Sequence, residues 1–115
     1  GDQSYTATSP ILGPINPGDS LTYDYRYTNW SAGTVGTMLS EGDSLEVQIS
    51  TDCGETYTTV QTVDMNNHIT SNVMTNRLVD LDAYAGEFIN IRFQATWGAG
   101  DYWIDIDNIN IIGCF

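Results

Sequence analysis

From Ser20 to Thr28 the chain alternates without a break. Leu21, Tyr23, Tyr25 and Tyr27 fall on one side, and Thr22, Asp24, Arg26 and Thr28 on the other. A period of two is the mark of a half-buried strand, here with an aromatic inner face and a polar outer one. The same pattern returns at 43–50, where Leu45, Val47 and Ile49 oppose Glu46 and Gln48. It returns again at 87–97, where Ile89, Ile91, Phe93 and Ala95 oppose Asn90, Arg92, Gln94 and Thr96. The turn at 51–55 and a β-rich return over 56–63 predict a hairpin. Further strands are predicted at 4–9, ahead of a proline-rich break, at 72–81, and in the final stretch from Tyr102. About seven strands in one 115-residue domain predict an all-β, antiparallel jelly-roll β-sandwich. No internal repeat and no linker is evident.

The last strand slips phase. Ile104 and Ile106 are even-numbered, whereas Ile109 and Ile111 are odd-numbered. A regular strand cannot send all four to one face. Either a bulge lies near Asp107-Asn108, or the odd face is the core and Asp107 points inward. An inward carboxylate costs several kcal/mol unless it is paired.

Charge narrows the partners. Fifteen acidic residues face three arginines and no lysine, a net charge of −12. Nucleic acid and anionic membranes need a basic footprint that this chain lacks. No stretch is apolar enough to span a membrane, and no signal-peptide pattern is present in the chain as it stands. Neutral glycans, cationic surfaces and divalent cations remain.

Three segments occur in an order that resembles a known group. They are Asp43-Ser-Leu-Glu-Val-Gln-Ile-Ser-Thr-Asp-Cys-Gly-Glu-Thr-Tyr57, Leu78 to Phe93, and Tyr102 to Ile111. They resemble the MAM-like jelly-roll modules of secreted Bacteroidetes proteins, the cleaved-adhesin and choice-of-anchor group. Tyr57 stands where that pattern has Trp, Asn108 stands for the second Asp of its Asp-Asp pair, and its N-terminal strands are shortened or missing here. The resemblance implies a secreted or cell-surface, non-catalytic module within a larger protein, often calcium-bound, that binds carbohydrate or protein.

Calcium takes six to eight oxygen ligands. Asp107 is the first candidate, on phase and on its match to the pattern, followed by Asp105 and Asp43. A solvated strand residue is the competing role for Asp105, and an ion pair with Arg26 or Arg92 for Asp24. For a glycan, Trp30, Trp97, Tyr102 and Asp101 are candidates, since aromatic rings stack on sugars and polar edges bind hydroxyls. Trp103, among isoleucines, reads as core. Trp30 and Trp97 at one rim would favour sugar over a spacer or protein-adhesion role. His68 reads as a solvated loop residue, and no nucleophile has a matching base, so catalysis is not expected. Cys53 and Cys114 read equally as a disulfide or as two thiols.

Overall fold

A computed structural model describes residues 3–31, 35–98 and 102–113. The described chain is an all-β sandwich of seven strands. They are β1 (Gln3–Thr8), β2 (Ser20–Asn29), β3 (Ser44–Ser50), β4 (Thr58–Val63), β5 (Thr75–Asp80), β6 (Asn90–Trp97) and β7 (Tyr102–Ile112). One sheet runs β1-β6-β3-β4 and the other β5-β2-β7, with every pairing antiparallel. The pairs nest like the arms of a rolled-up ribbon: β3 with β4, β2 with β5, and β1 with β6. This is the logic of a jelly roll.

The core follows the alternation. Leu21, Tyr23, Tyr25 and Tyr27 of β2 are fully buried and face Leu45, Val47 and Ile49 of β3 and Ile91 and Phe93 of β6. Each such side chain contributes roughly 1.5–3 kcal/mol by leaving water. The predicted strands exist, but their ends move. The stretch predicted from 72 begins at Thr75, and the one predicted from 87 begins at Asn90, because Glu87 to Ile89 instead bond back to the segment at Leu12–Ile15.

The chain does carry one short internal repeat, contrary to expectation. Gly18-Asp-Ser-Leu21 and Gly42-Asp-Ser-Leu45 lead into β2 and β3. Both glycines sit at φ +87, a conformation a side chain rarely takes. In both turns the aspartate Oδ2 accepts an N–H from three residues back, Asn16 at 2.8 Å and Ser40 at 2.9 Å. The aspartate's own N–H returns to the carbonyl of that same residue. The same four residues build the same entry turn twice, once for each sheet.

The phase slip in β7 is a bulge. Leu21 pairs with Ile111 and Thr22 with Asn110, but Asp24 pairs with Asp107. Asn108 absorbs the extra residue at φ +50, a left-handed conformation that Asn tolerates better than most residues. Ile104 and Ile106 therefore face inward with Ile111. Asp107 is exposed on the outer face, so the expectation of an inward carboxylate is corrected.

Candidate functional site

One end of the sandwich gathers the aromatics. β2 finishes there at Asn29, β6 at Trp97, and β7 begins there at Tyr102. Tyr102 points inward and is buried, its ring stacked on Trp97 at 5.5 Å between centroids. Tyr5 of β1 meets Trp97 edge-on at 5.1 Å. Trp103, one residue further along the strand, points to the opposite face. It pairs with Thr28 across the ladder and stacks on Trp30 at 4.7 Å and 20°. Trp30 is 53% exposed and Trp103 50% exposed. Trp103 is thus a surface residue and not a core one, a correction that follows from strand parity: its neighbours Ile104 and Tyr102 take the inner face.

Trp30 and Trp97 do share a rim, but β7 stands between them. Trp97 is half-buried within the sandwich mouth, whereas Trp30 and Trp103 form a ring pair on the outer face of the three-stranded sheet. The Trp103 indole N–H donates to the Trp30 carbonyl at 3.2 Å and fixes the pair. The loop that carries Trp30 folds back beside β2, with Thr28 bridging Gly36 and the Thr37 N–H donating to Tyr27. A Cβ on Gly36 would lie 2.5 Å from the Ser71 carbonyl carbon, so only glycine lets the two loops touch.

Away from this ring pair the same face becomes polar. The Arg26 guanidinium binds Asp105 at 2.8 Å and the Asn72 carbonyl at 2.8 Å. Asp24 accepts from Asn76 at 2.9 Å and from Asn108 at 2.7 Å. Hydrogen bonds from Asn108 and then Asn76 hold the Asp24 carboxyl below its usual range. The sequence expectation of an Asp24 ion pair with Arg26 or Arg92 fails because Arg26 reaches Asp105 across the strand instead. Asp107 accepts the Asn108 N–H.

The three calcium candidates do not converge. Asp105 and Asp107 lie on the outer face of β7, and Asp43 is buried at the sandwich end, where its Oδ1 accepts the Gly98 N–H at 2.8 Å. Among the described residues no group of three or more His, Cys, Asp or Glu side chains is placed to hold an ion. Burial, and then the nearby Asp43 carboxylate, push the Tyr102 hydroxyl above its usual range. Asp101 and Cys114 lie outside the described residues. Cys53 is exposed in the β3–β4 turn, at the same end of the sandwich as the last described residue, Gly113.

His68 is not a solvated loop residue. It packs against Tyr25 and Tyr27, with ring centroids at 5.6 and 5.2 Å. Its Nε2 donates to the Thr37 carbonyl at 2.8 Å, and its Nδ1 accepts from the Tyr25 hydroxyl at 3.0 Å. It ties the loop after β4 to the loop that carries Trp30. Burial lowers its pKa below 6.5, with the Arg77 charge adding to the effect and the Thr37 bond opposing it. The unfolded chain therefore binds the proton more readily than the folded one. Stability is full above pH 6.5 and falls as pH drops below it. The expected result is a melting temperature that begins to fall below that pH, and a His68→Gln variant that lacks this early drop. Asp52, held at about 2 by Ser50 and Thr56, adds a second loss only below pH 3.8, so the two windows separate. A His68→Gln variant with the wild-type profile between pH 4 and 6.5 would refute the assignment.

Searched against protein-family models and against curated proteins, the chain matches none.

Proposed function

We propose that this protein is a non-catalytic, extracellular glycan-binding module. Its site is the outer face of the three-stranded sheet, where Trp30 and Trp103 stack. The observation that carries the reading is this exposed ring pair followed, along one face, by Arg26, Asp105, Asp24, Asn76 and Asn108. Flat rings offer apolar faces to pyranose C–H groups, and fixed carboxylates, amides and a guanidinium bind hydroxyls. Their mutual hydrogen bonds hold them in place before a ligand arrives, which lowers the ordering cost of binding. The resemblance to MAM-like modules points the same way. A net charge of −12 favours a neutral polysaccharide over an anionic one.

The test is a titration of the domain against neutral oligosaccharides of several linkages. Trp103→Ala and Trp30→Ala should each weaken binding by about 1–3 kcal/mol, by analogy with bases stacked on aromatics, while the fold persists. Running each titration with and without chelator reads the calcium expectation separately. Wild-type affinity in both variants, or no neutral glycan bound, would transfer the reading to a protein-adhesion or spacer module.

A further inference from the structure

The two sheets do not match. One has four strands and the other three, and β7 is the arm of the nested ribbon with no partner on its far side among the described residues. Jelly rolls carry eight strands in two sheets. The vacant position lies beside β7 and over β1, and its surroundings look like an uncovered core. Tyr5 and Ala7 pair with Ala95 and Phe93, so they point between the sheets, yet Tyr5 is 61% exposed. Ile109 has the inward parity of Ile111 and is 50% exposed. A cleft of about 380 Å³ opens here, with Leu12, Ile91, Phe93, Ile109 and Ile111 in its walls and no charged group. On either side of the Asn108 bulge, alternate N–H and C=O groups of β7 face this gap, and such an unpaired edge can accept an added strand.

Charge says which strand fits. The outer face of β7 carries Asp105, which Arg26 pairs with, and, two residues on, Asp107, which has no ion-pair partner among the described residues. A strand laid along this edge brings its outward side chains to about 5 Å from them. A second copy pairing through its own β7 offers no basic residue to them, and in the register centred on Ile106 it sets aspartates against aspartates, which is repulsive. A segment with lysine or arginine outward and apolar residues inward would meet acids on one face and fill the cleft on the other.

We infer that the β7 edge is a docking site for an extended segment of a partner protein, antiparallel to β7, that alternates basic and apolar residues. Backbone ladder bonds give it affinity, the cleft selects its apolar side chains, and Asp107 selects its charge, since Asp105 is already held by Arg26. Antiparallel pairing follows because every other pairing in both sheets is antiparallel.

The probe is a peptide of about eight alternating lysines and valines, the length of an ordinary strand. Two controls are its glutamate–valine counterpart and a version with a central proline, which cannot complete the ladder. Binding is read by calorimetry, and its place by amide hydrogen exchange. The lysine peptide should bind, slow exchange along β7, and outbind both controls by about tenfold or more. Asp107→Lys should weaken the lysine peptide and strengthen the glutamate peptide, a gain that a misfolded variant could not produce. Equal binding of the proline peptide, slowed exchange elsewhere than β7, no binding, or no swap in preference with Asp107→Lys would each overturn the inference.

Discussion

Tyr25→Ala should lower stability by about 3–5 kcal/mol, the range for removing a large buried aromatic. Tyr25 is fully buried at the centre of β2. Its ring packs against Tyr27 and His68, and the Arg77 guanidinium carbon lies 5.7 Å from its centroid. Its hydroxyl donates to His68 Nδ1 and accepts the Ile69 N–H at 3.2 Å. Truncation empties the middle of the sandwich and also frees the loop after β4. Tyr25→Phe separates the two effects, because it keeps the ring and removes only the hydroxyl. It should cost about 1–2 kcal/mol, as unmade hydrogen bonds do in a partly buried site. Denaturant melts of the two variants would measure both. A phenylalanine variant as unstable as the alanine one would mean that the hydroxyl network, and not packing, dominates here.

Asp43→Ala should cost about 2–4 kcal/mol, although it removes a buried charge from an acidic protein. Asp43 is 2% exposed and receives the Ser40 and Gly98 backbone N–H groups. Hydrogen bonds to an ionised carboxylate are stronger than neutral ones, and their loss leaves two donors short of an acceptor. The damage falls on the entry to β3 and the exit from β6 together. Asp43→Asn keeps one good acceptor and should lose about half as much. Asp19, its counterpart in the repeated turn, receives one such bond, from Asn16, so Asp19→Ala should be the milder change. Thermal melts would rank the three variants. Asp43→Ala melting with the wild type would show that the carboxylate does not anchor the turn.

Wherever residue parity governs the outcome, the fold was legible. The alternation of β2, β3 and β6 named their buried faces correctly, because burial on one face leaves a strand no other register. In β7 the sequence offered two solutions, and only the backbone of Asn108 decides between them. That choice also removed the main argument for calcium, since Asp107 sits in water and needs no counter-ion. Parity applied one residue further would have placed Trp103 outside, but its isoleucine neighbours masked the signal. His68 could not have been read at all. Its partners Thr37 and Tyr25 are far away in sequence, and a polar loop gives no hint of what it will touch. The Gly-Asp-Ser-Leu repeat is explicit in the sequence, at 18–21 and at 42–45. Of the ring candidates, Trp30 is exposed. Trp97 lies half inside the mouth, because β6 ends with its odd face inward.

The nesting of the strands sets the timetable by which this chain can fold. Gln3 pairs with Trp97 and Ser20 with Ile112, so nearly the whole polypeptide lies between partners. Such distant pairing makes folding slow, because long loops must close before any contact rewards them. On the ribosome only the inner hairpin of β3 and β4 can form early. The tyrosine face of β2 gains one flank when β5 emerges, but the other flank comes only with β7. Until β7 emerges that face is open, and interrupting translation within β7 would leave a half-zipped, sticky sheet.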